Sequence, residues 1–296
     1  MEEIEILIDN FLKEVDSDAL ELYHQISTGK RLRAKLILKI AGESEQTYKL
    51  AAVVEMIHAA SLLHDDVIDD ALTRRGNRSI NAVYGDKTAI MLGDILYSKG
   101  FLELVSFDRD IAVSISDAVA KLSVGEMMDV TLSEKINLDQ ELYFDMIYKK
   151  TAVLIEATSK SAALLVGKDS EAFGLYGKNL GLAFQIIDDV LDITMSDEQL
   201  GKPALADFKE GKTTLPYIYL FDSLADSDKE KLKSLYKKEL NDDEKIWIKT
   251  KMKESGAVLR SIELAQKLGL EALEAIKHDQ NSDLEKVVRD MIERDF

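Results

Sequence analysis

Two short acidic motifs combine the residue type and the spacing that a metal site requires. Each has the pattern Asp-Asp-x-x-Asp, and their aspartates are Asp65, Asp66, Asp69, Asp188, Asp189 and Asp192. An α-helix turns once in 3.6 residues, so the first and last aspartates of a motif would lie on one face, about 6 Å apart along the axis. Like charges in that position destabilise a helix unless a cation neutralises them. The spacing therefore predicts two helices that face each other across a cation site.

The residues before each motif distinguish it from an ordinary acidic surface. Apolar, helix-like segments at residues 58–64 and 182–187 lead into the two motifs. One motif alone, in a chain of net charge −17, would be interpreted as a solvated surface. Two copies in apolar surroundings favour a metal site. Mg²⁺ is the expected ion because it commonly uses one or two carboxylates together with substrate phosphates and water.

Four basic clusters offer the positive charge that a polyphosphate needs. They are Gly29-Lys30-Arg31-Leu32-Arg33, Arg74-Arg75-Gly76, Gly201-Lys202-Pro203 and Gly211-Lys212-Thr213. Arginine makes bidentate contacts with phosphate oxygens, and lysine supplies a compact charge. Any one cluster alone would be interpreted as exposed surface. In combination with two carboxylate clusters, they predict a site that holds a polyphosphate through metal and cations.

The composition predicts a helical protein organised as a single domain over residues 1–296. Proline occurs only 2 times, where average usage near 5% would give about 15, and proline disrupts helix interiors. Helical periodicity recurs along the chain, and no segment shows convincing strand alternation. The one clear non-helical insertion runs from residue 194 to residue 216, and we expect it to be a functional loop.

Charge and hydropathy exclude several function classes. The net charge of −17 argues against nonspecific binding of nucleic acid and against attraction to anionic membranes. No apolar run approaches the 18 or so residues that a bilayer-spanning helix needs. The acidic first residues lack the basic region of a signal peptide, and the chain contains no cysteine. We therefore expect a cytoplasmic protein without stable membrane insertion.

The chain resembles the trans-prenyltransferases, also called polyprenyl diphosphate synthases. Six ordered segments carry the resemblance: GKRLR at 29–33, IHAASLLHDDVIDDALTRRG at 57–76, MLGDILYSKGF at 91–101, KT at 150–151, FQIIDDVLD at 184–192 and GKPALADFKEGKTTLP at 201–216. One departure is Ala34, where the family usually has proline, and we expect it to alter only the start of a helix. The resemblance implies the all-α isoprenoid synthase fold, an antiparallel helical bundle around a central active-site cavity, and a homodimer.

The resemblance also implies a role for each matching residue. The expected Mg²⁺ ligands are Asp65, Asp69 and Asp188, supported by Asp66, Asp189 and Asp192. The residues expected to bind the two diphosphate substrates are Lys30, Arg31, Arg33, His58, Arg74, Arg75, Lys202 and Lys212. Among these, isopentenyl diphosphate is assigned to Lys30, Arg33, His58 and Arg75. Arg74 is expected to contact the allylic diphosphate, and Lys150, Lys202 and Lys212 to contact that diphosphate or its leaving group. Thr151 and Gln185 are expected to line the reacting end.

The reaction implied is the condensation of isopentenyl diphosphate with an allylic diphosphate such as farnesyl diphosphate. The allylic carbon–oxygen bond ionises, and the metal and the basic side chains stabilise charge on the leaving diphosphate. The isopentenyl double bond attacks the allylic cation, and the departing diphosphate takes the proton that is then lost. Water must be excluded because it would quench the cation.

Small residues upstream of the first motif bear on product length. Family members that make short products have a bulky aromatic residue at the position of Ala60 or an insertion within the motif. Here Ala60 and Ser61 are small and the motif is uninterrupted. We expect an open tunnel and a hexaprenyl to octaprenyl product, as used for quinone side chains. Met56, Ile57 or a residue on a facing helix at 96–101 would form the tunnel floor.

Three alternatives remain open for the same residues. A geranylgeranyl diphosphate synthase also has an uninterrupted first motif. A class I terpene cyclase shares that motif and the all-α architecture, but it normally carries an Asn/Ser/Glu metal motif second and needs no isopentenyl site. A noncatalytic subunit of a heteromeric synthase typically loses acidic residues, whereas all six aspartates are present here.

Overall fold

The prediction of an all-α protein is confirmed by a computed structural model, which describes residues 1–27, 29–195, 204–279 and 281–292. Helices α1 to α7 are Glu2–Val15, Ser17–Tyr23, Leu32–Ala41, Glu45–Ile68, Ile80–Tyr84, Asp86–Leu104 and Arg109–Leu132. Helices α8 to α10 are Gln140–Ile147, Val153–Leu165 and Ser170–Thr194. Helices α11 to α16 are Ala206–Glu210, Leu215–Ser223, Asp226–Leu235, Asp242–Ser255, Ala257–Ala275 and Ser282–Ile292.

Two departures from α-helix occur in the part of the chain that the structure describes. A π-helical turn, Tyr148–Ala152, joins α8 to α9. Strands β1 (Thr73–Arg74) and β2 (Asn77–Arg78) form a short antiparallel ribbon after α4. In the four described segments, none of the helices combines the length and the apolar character that a bilayer-spanning helix requires.

The chain divides into two compact units, and the first comprises Met1–Val119 and Ala157–Gly174. Its central element is α4, which packs against α1, α3 and α6. Ser44 begins α4 by accepting a hydrogen bond from the backbone of Thr47, and the helix is buried on most of its surface. Helix α6 approaches α4 closely at Gly100, where a β-carbon would lie 3.1 Å from Cγ1 of Ile57. The first acidic motif is thus carried by a helix that is held on several sides.

The second unit comprises Ala120–Glu156 and the chain from Leu175 onward. Helix α12 packs against α8, α14 and α15, and α15 packs against α16. Within α10, the residues Ala183, Ile186, Ile187 and Val190 are fully buried. These four residues lie at i, i+3, i+4 and i+7, so they form one helix face that the interior of the unit covers, whereas Phe184 is half-buried.

The predicted non-helical insertion from residue 194 to residue 216 is wrong in part. Helix α11 lies within it, and α12 already begins at Leu215. Gly211 ends α11 with a φ of +93°. Pro216 lies in the first turn of α12, where a backbone N–H would have no acceptor within the helix, so the N–H that proline lacks is not needed. Glycine and proline therefore marked helix ends here, not a continuous loop. The remainder of the predicted loop, residues 196–203, lies outside the described residues.

Candidate active site

The first acidic motif occupies the C-terminal end of α4. Asp69 is the residue that follows the helix, and its N–H donates to the carbonyl of Asp65 at 2.8 Å, so the two are one turn apart as predicted. Asp66 is buried, Asp65 is half-buried and Asp69 is exposed. The C-terminal end of a helix carries a partial negative charge, and the last turn of α4 contains no basic residue. Three carboxylates at this end are electrostatically unfavourable without added positive charge.

Arg74 supplies part of that charge by pairing with Asp66. Its Nε donates to both carboxylate oxygens of Asp66 at 2.8 and 2.9 Å, and its Nη2 lies 2.6 Å from one of them. The ribbon places Arg74 there, because Arg75 and Gly76 both adopt positive φ and form a tight turn between β1 and β2. The buried aspartate of the motif is therefore already neutralised by the protein, and its two neighbours lie nearer to solvent.

Arg33, His58 and Arg75 form a group of basic side chains in the first unit. Burial lowers the pKa of Arg33 to about 10; Glu55 opposes this effect and Arg75 adds to it, and the side chain stays a cation at neutral pH. Burial, followed by the charges of Arg33 and Arg75, also lowers the pKa of His58 well below its usual range. Among the described residues, the buried Nε of Arg33 has no hydrogen-bond partner. The group has the electrostatic character of a site for an anion.

A glycine controls the position of Arg75. The guanidinium of Arg75 donates through Nη1 to the carbonyl of Ser27 at 2.9 Å. A β-carbon at Gly29 would lie only 2.6 Å from Cζ of Arg75, so glycine is the residue that lets the side chain lie there. Lys30 is exposed beside this contact. The first residues of the GKRLR segment thus shape the basic group through size as well as charge.

Arg31 is directed at other residues of the protein. Its guanidinium lies 3.1 Å from Glu55, 3.1 Å from the hydroxyl of Tyr23 and 2.6 Å from Glu5. Glu55 is 2% exposed and also accepts the backbone N–H of Ala34 at 2.9 Å, in the first turn of α3. The departure from proline at Ala34 therefore allows a hydrogen bond that proline cannot donate. Substrate binding by Arg31 stays a prediction, and its contacts give it a structural role.

The second acidic motif lies in the last two turns of α10. Asp188 is half-buried, whereas Asp189 is 4% exposed. Asp189 accepts a hydrogen bond from the hydroxyl of Tyr143 at 2.5 Å and another from Nε2 of Gln185 at 2.9 Å. Burial and then repulsion from Asp207 raise the pKa of Asp189 well above its usual range, against the effect of these hydrogen bonds. As in the first motif, the second aspartate is enclosed by protein partners.

The third aspartate of this motif organises the following helix. Asp192 is 2% exposed, and its Oδ2 accepts the N–H of Asp207 at 3.3 Å in the first turn of α11. Its carbonyl accepts the N–H of Leu205 at 2.9 Å. The contacts of Asp192 therefore fix the start of α11, and its supporting role at the metal stays a prediction. The pairing of both motifs across one metal site stays a prediction.

Two of the predicted lysines of the second unit share one carboxylate. Nζ of Lys150 lies 2.6 Å from Asp129 and 2.9 Å from Glu126, and Nζ of Lys212 lies 4.0 Å from the same Asp129 oxygen. Burial lowers the pKa of Lys150, but Asp129 and Glu126 outweigh it and the net shift is upward. Lys150 is therefore a cation held in a fixed position. The predicted partner Lys202 lies outside the described residues.

The π-helical turn presents Lys150 and Thr151, and two glycines make room for it. A β-carbon at Gly125 on α7 would lie 2.8 Å from Cα of Lys150. One at Gly181 on α10 would lie 2.5 Å from Cα of Ala152. Backbone atoms cannot easily move aside, so both positions require glycine. Single π-helical turns are frequent at functional sites, and this one lies at the segment that carried the family resemblance.

Several predicted residues of the second unit come together around a cavity of about 110 Å³. The polar residues that line it include Asp129, Tyr143, Lys150, Gln185, Asp189 and Lys212. Gln185, which lines the cavity, accepts through Oε1 a hydrogen bond from Oγ1 of Thr151 at 2.7 Å. The cavity thus joins the predicted cations to the residues predicted to line the reacting end.

The predicted chain-length residues lie in the interior of the first unit. Met56, Ile57 and Ala60 are fully buried, and Ser61 donates through Oγ to the carbonyl of His58 at 2.8 Å. Helix α6, which contains the predicted facing segment 96–101, is packed along α4 at this level. The control of product length by these residues stays a prediction.

The donor set fits an ion that uses few protein ligands. Within the described residues there is no group of three or more His, Cys, Asp or Glu side chains arranged to hold a metal ion by itself. Asp65 and Asp69 offer two carboxylates one turn apart, at a helix end that favours a cation. Mg²⁺ needs only one or two carboxylates when substrate phosphates complete its shell. The residues present therefore fit Mg²⁺ bound together with a diphosphate.

The sequence motifs did not identify several polar residues that lie around the site. Glu126 and Asp129 are three residues apart on α7, and that spacing in an apolar setting was a usable signal. Glu55 and Tyr143 gave none, because a single glutamate or tyrosine in a helical segment is most often a surface or core residue. Their importance depends on partners distant in sequence.

The fold and these residues define a class of all-α proteins that handle diphosphates. The chain belongs to the polyprenyl synthetase family, whose sequence pattern matches residues 18–252. The predictions of a prenyltransferase and of the isoprenoid synthase fold are thereby confirmed.

Known proteins of this family resemble the chain over nearly its whole length. The octaprenyl pyrophosphate synthase from Helicobacter pylori is 44% identical, with a TM-score of 0.94 over 98% of this chain and 97% of that one. Solanesyl-diphosphate synthase 2 from Oryza sativa subsp. japonica is 34% identical over 90% of this chain and 70% of that protein. The geranylgeranyl pyrophosphate synthetase from Pyrococcus horikoshii Ot3 is 28% identical, with a TM-score of 0.85 over 99% of each chain.

Proposed function

We propose that the protein condenses isopentenyl diphosphate with an allylic diphosphate, such as farnesyl diphosphate, to give an all-trans polyprenyl diphosphate of hexaprenyl to octaprenyl length. The observation that carries the proposal is the division of labour within the acidic motifs. Arg74 neutralises Asp66 and Tyr143 encloses Asp189, while Asp65 and Asp188 are nearer to solvent. This arrangement supports a metal-bound diphosphate substrate in preference to a solvated acidic surface.

In this proposal Mg²⁺ is bound by Asp65, Asp69 and Asp188 together with the allylic diphosphate. When bound, the ion would neutralise the charge that develops on the departing diphosphate. Lys150 and Lys212 bind the same diphosphate. Asp129 and Glu126 hold Lys150 in place before substrate arrives, and Lys212 lies 2.9 Å from Glu210 and 4.0 Å from Asp129. Arg74 contacts the diphosphate while it keeps Asp66 paired.

Isopentenyl diphosphate binds to the basic group of Arg33, His58 and Arg75, with Lys30 nearby. Burial is the main cause of the lowered pKa values of Arg33 and His58, and neighbouring positive charges lower them further. A bound diphosphate would offset the repulsion among these basic side chains, which supports this assignment. Thr151 and Gln185 line the reacting end of the allylic substrate.

The product length follows from the similarity to synthases of long chains and from the small side chain at Ala60. The protein whose identity to this chain is 44% is an octaprenyl pyrophosphate synthase. The product would serve as a quinone side chain, and the enzyme would act as a cytoplasmic homodimer. A geranylgeranyl diphosphate synthase is the second candidate, supported by likeness at 28% identity and by the same uninterrupted motif.

The purified chain is incubated with farnesyl diphosphate, labelled isopentenyl diphosphate and Mg²⁺, and the dephosphorylated products are separated by length. We expect products of six to eight isoprene units and no elongation when Mg²⁺ is chelated. A product that stops at four units would favour the geranylgeranyl alternative. A cyclic hydrocarbon would indicate a terpene cyclase, and absence of any elongation would indicate a noncatalytic subunit.

A further inference from the structure

Four side chains of the second unit form a continuous hydrogen-bonded network. Tyr143 on α8 donates to Oδ2 of Asp189 at 2.5 Å, and Gln185 donates through Nε2 to Oδ1 of Asp189 at 2.9 Å. Oε1 of Gln185 in turn accepts from Oγ1 of Thr151 at 2.7 Å. Three separate elements, α8, α10 and the π-helical turn, are thereby connected through one amide.

This hydrogen-bonded network determines the orientation of the amide of Gln185. Oδ1 of Asp189 accepts from Nε2 of Gln185, so the NH₂ side of the amide faces Asp189. The oxygen of the same amide then faces Thr151 and accepts the hydrogen bond from its hydroxyl. With both oxygens of Asp189 engaged, the carboxylate cannot rotate to follow another partner without breaking a hydrogen bond.

Tyr143 is the donor at one end of this hydrogen-bonded network. Its side chain is 1% exposed, and its ring packs edge-on against Phe144 with centroids 5.4 Å apart. The backbone of Leu215 also hydrogen-bonds this hydroxyl, which holds Tyr143 beside Asp189 on the wall of the cavity. The position of Tyr143 is therefore transmitted to Gln185 through one rigid carboxylate.

We propose that Tyr143 is a positioning residue that acts through Asp189 to hold the amide of Gln185 and the hydroxyl of Thr151 in the orientation needed for ionisation of the allylic substrate. This inference rests on the proposed function, which places Gln185 and Thr151 at the reacting end. Preorganised dipoles stabilise developing charge without reorganisation cost, and a misplacement of about 1 Å can cost about 100-fold in rate. Tyr143 itself touches no reacting atom.

The first test replaces the hydroxyl alone. We expect Tyr143→Phe to lower kcat about 10- to 100-fold while KM for both diphosphates changes by less than about 3-fold. The matched control is Tyr176→Phe, because Tyr176 is equally buried in the same unit and donates to the carbonyl of Leu284 at 3.2 Å. That variant should lose thermal stability but keep kcat. Equal kcat for both variants would overturn the proposal.

A double-mutant cycle tests whether the effect passes through Gln185. In a Gln185→Leu background, adding Tyr143→Phe should lower kcat by less than about 2-fold further, because the group that it positions is already gone. Full multiplication of the two single effects would show that Tyr143 acts independently of Gln185 and would contradict the proposal.

The metal dependence separates positioning from ion binding. Asp189→Asn keeps a group of the same shape, so we expect a lower kcat with an unchanged Mg²⁺ concentration for half-maximal rate. Asp188→Asn, at the predicted ligand, should raise that concentration about 10-fold or more. A shift of similar size in both variants would assign Asp189 to the ion and would overturn its role as a link from Tyr143.

A structural readout decides the inference without any catalytic assay. Crystal structures of the wild-type protein and of Tyr143→Phe are compared at the side chain of Gln185. We expect the amide to rotate or to lose its contact with Thr151 in the variant. An amide that superimposes on the wild type would overturn the proposal. If the wild-type chain elongates no substrate, the proposed function fails, and this comparison still decides whether Tyr143 orients Gln185.

Discussion

The ammonium group of Lys150 lies 2.6 Å from a carboxylate oxygen of Asp129. The same oxygen is 4.0 Å from Nζ of Lys212, so one carboxylate separates two cations that would otherwise repel each other. Each lysine is predicted to bind the diphosphate of the allylic substrate. Asp129 therefore stands in for part of the negative charge of that substrate before it binds.

This relationship predicts opposite effects of Asp129→Asn on the free and the bound protein. Without the carboxylate of Asp129, less negative charge offsets the positive charges of the two lysines. We therefore expect a lower melting temperature for the free protein. Inorganic diphosphate should then stabilise the variant more than it stabilises the wild type, because the anion replaces the missing charge. Thermal unfolding with and without diphosphate measures both effects.

The control for this experiment is Asp145→Asn. Asp145 pairs with Lys149 at 2.6 Å, but that pair is more exposed and its loss should cost little. The variant should respond to diphosphate as the wild type does. An Asp129→Asn protein whose stabilisation by diphosphate is no greater than that of this control would contradict the prediction.

Gly29→Ala should weaken isopentenyl diphosphate binding without unfolding the protein. The new β-carbon meets the guanidinium of Arg75, which is the far end of a flexible side chain and can move aside. We expect KM for isopentenyl diphosphate to rise about 5- to 10-fold with kcat nearly unchanged, as for loss of uniform binding. Steady-state kinetics with the allylic substrate held saturating measure the change. In an Arg75→Ala background, Gly29→Ala should have no further effect, and an additional rise in KM there would show that it acts by another route.

The stability of the free protein should depend on His58 at mildly acidic pH. The pKa of His58 is well below its usual value in the folded protein, whereas in the unfolded chain it is about 6.5. As the pH falls below about 7, the unfolded chain takes up a proton that the folded protein does not, so stability is lost in that range. Urea unfolding of wild type and His58→Gln at pH 7.5 and pH 5.5 tests this. We expect the wild type to lose more stability than the variant.

A second histidine provides the comparison for that measurement. His278 is exposed, so His278→Gln should follow the wild type at both pH values. If the loss of stability between pH 7.5 and pH 5.5 is the same in His58→Gln as in the wild type, other groups cause it and the assignment to His58 is wrong.

The helical framework and the positions of the motifs were predictable because they depend on local periodicity. Asp65 and Asp69 are one turn apart on a helix as their spacing required, and the apolar residues before Asp188 are buried. Scarcity of proline correctly indicated long helices. These features need only the geometry of a single helix and its apolar surface.

The sequence did not predict which side chains pair with each other, because these pairs form between distant segments. Arg31 and Arg33 are two residues apart, yet Arg31 adopts a left-handed backbone conformation before α3 and turns to Glu55, while Arg33 joins His58. A basic cluster in a sequence does not reveal which of its members is used structurally. Likewise, Tyr143 could be recognised only once α8 and α10 were seen to meet at Asp189.

The product length offers the most direct test of the residues in α4. Ala60 is fully buried five residues before Asp65, about 7.5 Å along the helix axis, and is predicted to line the tunnel for the growing chain. We expect Ala60→Tyr to stop elongation early and to shift the main product towards four or fewer isoprene units. Overpacking should also destabilise the protein by about 1–3 kcal/mol, so residual activity and melting temperature are measured with the product distribution. Ala60→Val should give an intermediate length, because it narrows the same space by less. An active Ala60→Tyr enzyme whose products match those of the wild type would remove Ala60 from the tunnel and leave Met56, Ile57 and the segment 96–101 of α6 as the candidates for the floor.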